Sequence, residues 1–163
     1  MTWEIDIVHL FLSSGHNYKG RHGKGSLNHT INDPDVIECV SGRGIRGDRY
    51  FDHKENFKGQ ITFFDYQVYE DVRQKFGLPD LCASVFRRNV LVKGAPLEDL
   101  IGKRFAVGSL EFEGAEEAAP CYWMNEAAAD GVHEFLKGRG GLRARILQGG
   151  PMRKGSEVVS LLP

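Results

Sequence analysis

Cysteine is scarce in this chain. Cys39, Cys82 and Cys121 are the only three, and no two of them form a Cys-x-x-Cys pair. That spacing supports neither a disulfide framework nor a zinc site, and it suits a reducing cytoplasm, the expected location. Charge of one sign is lacking as well. Lys and Arg number 21 against 22 Asp and Glu, a formal net charge of -1 over 163 residues. No whole-molecule field therefore draws nucleic acid or an anionic membrane. No apolar run nears the ~20 residues of a membrane helix. The opening Met1-Thr2-Trp3-Glu4-Ile5-Asp6 has no basic leader followed by an apolar core, so it does not read as a signal peptide. A Ser/His/Asp set, an HExxH motif and a convincing close pair of carboxylates are all missing, which disfavours acid–base hydrolysis.

What is present is glycine. Twenty of them fall between short β-branched or aromatic runs, the texture of a chain with many tight turns. Strand candidates are 4–12, 36–40, 60–64, 89–92, 104–107, 110–113, 142–147 and 157–162. Gly108-Ser109 has the two-residue spacing of a hairpin, and Gly149-Gly150-Pro151 reads as a turn. A helix follows the N-cap candidate Asp65, with Val68, Tyr69, Val72 and Phe76 on one face and Gly77 and Pro79 as stop signals. A second helix is expected after Cys121, with Met124, Ala128, Val132, Phe135 and Leu136 at helical steps and Gly138 as terminator. Gly131 interrupts that pattern. The sum is one domain over 1–163, a β-rich α+β fold: a bent sheet or small barrel with a few peripheral helices. Residues 13–35 stand apart as a long Gly-, His-, Lys- and Arg-rich loop.

Four stretches carry candidate chemistry. Gly15-His16-Asn17-Tyr18-Lys19-Gly20-Arg21-His22-Gly23-Lys24-Gly25 could wrap backbone N–H groups and charge-assisted donors around a phosphate, or stay a solvated loop. It is not a Walker loop. In Gly42-Arg43-Gly44-Ile45-Arg46-Gly47-Asp48-Arg49-Tyr50-Phe51-Asp52, Asp48 could pin the neighbouring arginines at a pocket edge; the alternative is a turn with a surface ion pair. Arg87-Arg88-Asn89 enters a strand, where one arginine can face a pocket, or both can be solvated. Arg139-Gly140-Gly141-Leu142-Arg143-Ala144-Arg145 alternates charge with small apolar residues, as a basic edge or a binding surface. Cys121, after Pro120, sits at the seam between a strand and a helix. In a first helical turn its thiolate form would be favoured; otherwise it is a small buried apolar residue.

Taken in order, Gly44-Ile45-Arg46-Gly47-Asp48-Arg49, Gly59-Gln60-Ile61-Thr62, Arg87-Arg88-Asn89-Val90, residues 94–100, Gly102-Lys103-Arg104-Phe105, Pro120-Cys121 and Gly149-Gly150 resemble a MOSC domain, the family named after the C-terminal domain of molybdenum-cofactor sulfurase. The resemblance spans about 36–162. It implies a MOSC-like β-barrel and a molybdopterin-type molybdenum cofactor. Cys121 matches the position that carries sulfur as a persulfide or ligates molybdenum. In relatives that reduce N-hydroxylated substrates the arginine-asparagine pair contacts the pterin, which maps onto Arg88 and Asn89. Asp48 matches an acidic position near the pocket. Cationic, glycine-lined walls for the cofactor's phosphate would come from Arg46, Arg21 and His22. One departure is Gly155-Ser156-Glu157, where many relatives have Gly-Asp; no role is carried over there.

Three functions follow as expectations. The first is a molybdenum-cofactor oxidoreductase built on Cys121. Its small-molecule ligand would be reduced with electrons from a separate donor, because no flavin site or iron–sulfur cysteine cluster is evident. The second is a metal-free carrier in which Cys121 takes a persulfide from a pyridoxal-phosphate cysteine desulfurase. The third is a non-catalytic ligand-binding module. No nucleic-acid or membrane partner is expected.

Overall fold

The computed structural model describes residues 1–16, 26–27 and 29–163. Its strands are β1 (Thr2–Leu10), β2 (Leu12–Ser13), β3 (Ile31–Asn32), β4 (Val36–Val40), β5 (Gly44–Ile45), β6 (Ile61–Asp65), β7 (Val90–Lys93), β8 (Arg104–Val107), β9 (Leu110–Glu117), β10 (Leu142–Gln148), β11 (Gly150–Arg153) and β12 (Gly155–Leu161). Its α-helices are α1 (Tyr66–Phe76), α2 (Trp123–Ala127) and α3 (Val132–Phe135). Seven strands close a barrel in the order β1-β12-β8-β9-β10-β6-β7, a three-stranded sheet β11-β4-β5 flanks it, and β2 pairs with β3. Only the β6–β7 neighbours run parallel within the barrel, and α1 makes the crossover between them, as a parallel pair requires. No helix among the described residues is long and apolar enough to cross a membrane.

The apolar runs explain the two-layered core. On β6 and β7, Phe63, Val90 and Val92 point into the barrel, while Phe64 and Leu91 point out to a second cluster under α1, α2 and α3. Both faces are buried, so these strands are continuously hydrophobic rather than alternating. Inside, Phe63, Phe105 and Phe112 meet ring to ring at centroid distances of 5.5–5.9 Å. Phe112 is fully buried, so Phe112→Ala is expected to lower stability by about 3–5 kcal/mol. Urea unfolding would show this as a lower midpoint with an unchanged slope.

Helix α1 begins and ends where its signals stand. Asp65 accepts a hydrogen bond from Gln67 N at 2.9 Å, and Gly77 closes the helix at φ 63°. The hairpin at Gly108-Ser109 joins Val107 to Leu110. Three expectations are corrected. The helix after Cys121 is not continuous: α2 stops at Ala127 and α3 starts at Val132. Gly131 takes φ 98° between them, and Asn125 Oδ1 accepts from His133 N at 2.8 Å, holding the break. The Gly149-Gly150-Pro151 turn instead opens β11, which pairs Gly150 with Cys39 through Arg153 with Val36. Strand 4–12 also breaks at Phe11, whose N donates to Asn89 O.

Candidate functional site

Beyond β9 the chain runs through Ala118, Ala119 and Pro120 to Cys121. This strap is anchored twice to the turn before β10. Ala118 N donates to Gly141 O at 2.8 Å, and Gly140 packs so closely that a Cβ there would lie 2.1 Å from Ala118 O. Gly140→Ala is therefore expected to displace the strap and lower thermal stability, readable as a drop in melting temperature with slower or faster alkylation of Cys121. The Cys121 side chain is exposed; its Sγ lies 3.9 Å from Ala119 O. The thiol precedes the N-cap Tyr122 of the five-residue α2, so it is not in a first helical turn as the sequence suggested.

Directly behind the strap lies Arg88, 8% exposed. Its Nε donates to Gly140 O at 2.9 Å, Nη1 to Phe86 O at 3.3 Å, and Nη2 to Ala118 O at 2.9 Å and Ala119 O at 3.3 Å. Burial pulls the guanidinium down to about 10, and the Cys121 sulfur opposes that fall; Arg49, Tyr50 and Arg143 are its other electrostatic neighbours. Cys121 and Arg88 thus meet at the Ala118–Ala119 segment, and Arg49, Tyr50 and Arg143 act on the same guanidinium.

Asn89 and Asp48, the other two buried candidates, spend their polar atoms on backbone groups and on one side chain each. Asn89 Oδ1 accepts from Thr62 N at 3.0 Å and Thr62 Oγ1 at 3.1 Å, and its Nδ2 donates to Phe11 O at 3.1 Å. It stitches β6 to the end of β1. Asp48 accepts from Ser13 N at 3.2 Å and Tyr50 N at 3.3 Å, and pairs with Arg49 Nη1 at 3.3 Å. It therefore pins a neighbouring arginine, as its position in the sequence suggests. Arg49 Nη2 in turn donates to Arg87 O at 3.2 Å, and its guanidinium covers the Tyr50 ring at 4.8 Å.

Arg46 is placed with a different group. It is exposed, bonds Glu38 at 2.9 Å and lies 5.4 Å from the Phe51 ring centre. Arg21 and His22 lie outside the described residues. Arg87, in the left-handed region at φ 56°, donates from Nη2 to Gly15 O at 2.8 Å.

The structure adds His53 and Phe57, which sequence reasoning did not name, and gives places to Tyr50, His16 and Arg143, which it named only within longer stretches. Tyr50, His53 and Phe57 form a packed ring cluster with centroids 4.6–5.3 Å apart, and His16 meets Tyr50 edge-on at 5.0 Å. Arg143 stacks over Phe57 at 5.1 Å and bonds Glu116 at 2.8 Å. A signal for Arg143 was available. In β10, Leu142, Ala144 and Ile146 point inward, so Arg143 must point out beside β6.

The three cysteines differ in access. Cys39 is 2% exposed, and burial, helped by Glu38, pushes its thiol up to about 12. Cys82 and Cys121 are exposed. Iodoacetamide at neutral pH is expected to label Cys121 and Cys82 in the folded protein, and Cys39 only after unfolding. Peptide mass mapping checks this; rapid native labelling of Cys39 would contradict the packing.

Among the described residues no three His, Cys, Asp or Glu side chains group to hold a metal ion. The arrangement offers instead one accessible soft donor beside buried and half-buried guanidinium groups. Among solved structures, the YuaD protein from Bacillus subtilis superimposes with a TM-score of 0.77 at 18% identity, covering 98% of this chain and 96% of that one. YiiM from Geobacillus stearothermophilus gives 0.70 at 16% identity, covering 98% and 75%. YiiM from Escherichia coli gives 0.66 at 15%, covering 100% and 70%. At these identities the likeness is one of fold. A search among curated proteins returns no match. The family model of the MOSC domain matches residues 43–159, from the arginine-rich turn before Asp48 to the last barrel strand. The chain belongs to the MOSC domain family.

Proposed function

We propose that this MOSC domain binds a molybdopterin-type molybdenum cofactor, with Cys121 as the protein's ligand to the metal. The observation that carries the reading is an exposed thiol on a strap held by the buried Arg88, with Arg49 and Arg143 in the same neighbourhood. A thiolate is a soft donor matched to such a metal, and guanidinium groups suit a phosphate. The residues present therefore fit the group. In this reading Arg88 and Asn89 hold the rim in shape through the backbone, and Arg49, Tyr50 and Arg143 supply its charged and aromatic wall. Arg46 acts at most from outside this neighbourhood. When bound, the cofactor supplies two-electron redox chemistry, suited to converting an N-hydroxylated substrate, two electrons and two protons into the amine and water. The electrons would come from a separate donor protein.

A second reading rests on the same exposed sulfur, because a persulfide needs one accessible thiol and no further donors. Cys121 thiolate would attack the outer sulfur of a desulfurase persulfide, giving Cys121–S–SH and releasing the donor's thiolate. Elemental analysis of anaerobically purified protein separates the two. Molybdenum and phosphorus in equal, near-stoichiometric amounts support the first. Their absence even after incubation with the cofactor, together with a gain of one sulfur atom at Cys121 after incubation with a desulfurase, replaces it with the second. A protein that accepts neither would be a non-catalytic ligand-binding module.

A further inference from the structure

A groove of about 330 Å³ lies between the N-terminal half of α1, the turn 95–101, the strand end at Glu117 and the segment 138–141 before β10. That volume is at the lower end of the roughly 300–1,000 Å³ typical of small-molecule pockets. Its floor is apolar: Val68 is 7% and Leu97 8% exposed, with Ile101 standing at the rim. Five acidic residues line this groove from four elements, namely Asp65, Asp71, Glu98, Asp99 and Glu117, against the single guanidinium of Arg139. The formal surplus is four negative charges in a chain whose net charge is -1.

The internal partners do not cancel that surplus. Arg139 Nη1 stays 3.9 Å from Asp71, and its guanidinium is turned over the Phe135 ring at 4.1 Å. Glu117 accepts from Gly140 N at 3.1 Å, and Asp65 accepts from Gln67 N; both donors are neutral. Asp71 also accepts from Gln67 Nε2 at 3.0 Å. Glu98 and Asp99 have no cation within salt-bridge distance among the described residues. Burial, with Asp71 adding to it, raises the Asp65 carboxyl above its ordinary range against the opposing pull of the Gln67 N–H.

We propose that this groove is a binding site for a small organic cation, an amine with an apolar body, independent of whatever Cys121 holds. The body would lie on Val68 and Leu97. The ammonium would sit among Asp65, Glu98 and Asp99, where it gains partners without displacing any internal cation. The lining also sets the class: a bare divalent ion has no use for the apolar floor, and an anion meets five carboxylates against one guanidinium.

Phenethylamine is the probe, titrated into the full chain while amide shifts are followed by NMR. Phenylacetate serves as the matched anion and magnesium chloride as the bare ion. Saturable phenethylamine shifts confined to the start of α1 and the 95–101 turn are expected. The double variant Glu98→Gln, Asp99→Asn changes two exposed side chains, so the fold is retained, and affinity is expected to fall about tenfold. Three results would each overturn the proposal: no saturation by phenethylamine, equal binding of phenylacetate, or saturation by magnesium at the same residues with none by the amine. An affinity unchanged in the double variant would also move the site elsewhere.

Discussion

Replacing Arg88 by methionine is expected to lower the unfolding free energy by about 2–4 kcal/mol. The size follows from what the guanidinium touches. Four carbonyls, those of Phe86, Ala118, Ala119 and Gly140, accept from it in a buried setting, and methionine leaves all four without that donor. Each stranded acceptor costs about 1–3 kcal/mol. The gain from no longer burying a cation offsets part of that loss, because no carboxylate among the described residues pairs with Arg88. Lysine at this position keeps the charge but reaches fewer carbonyls, so Arg88→Lys is expected to fall between wild type and methionine. Thermal melts should show the methionine variant roughly 5–15 °C lower. A shift smaller than that of an ordinary surface substitution would mean the strap is held by something else.

The second large effect is at Cys121. Cys121→Ser is expected to reduce molybdenum retention, and sulfur loading from a desulfurase, to below about a tenth of wild type, because the serine oxygen is a hard donor with no persulfide chemistry. Stability should stay within about 0.5 kcal/mol, since the side chain is exposed and makes only a long contact to Ala119 O. Cys82→Ser is the control: also exposed, but at the start of the 3-10 turn 83–86 rather than on the strap. Full retention in the Cys82 variant with loss in the Cys121 variant would assign the chemistry to the strap. Equal loss in both would mean that general thiol content, not position, was measured.

How much of this was legible in the sequence depended on the range of the interaction. Asp65 capping α1, Gly77 ending it and the Gly108-Ser109 hairpin are local, and the structure has them where the sequence places them. The α2–α3 break was visible as Gly131, but propensity could not say that Asn125 would lock it through His133 N. Strand β11 was hidden because glycine and proline dominate its start. Pro151 is tolerated there since β11 is an edge strand with only β4 beside it.

At the site, charge was legible and destination was not. The strap and turn carbonyls that Arg88 binds at Ala118 and Gly140 are 30 and 52 residues away in the chain, so its burial could not be read from Arg87-Arg88-Asn89. Arg46 and Arg49 are three residues apart and look alike in sequence. Asp48 draws Arg49 inward to 10% side-chain exposure, while Glu38 keeps Arg46 at the surface with 52%. The ring cluster of Tyr50, His53 and Phe57 follows from a turn whose path no periodicity reveals.

The central claim is that Cys121 is the protein's soft ligand. X-ray absorption at the molybdenum edge of cofactor-loaded protein tests it most directly, comparing wild type with any Cys121→Ser protein that can be loaded. We expect one sulfur scatterer in the wild type that is missing from the variant. Identical spectra from the two proteins would contradict it.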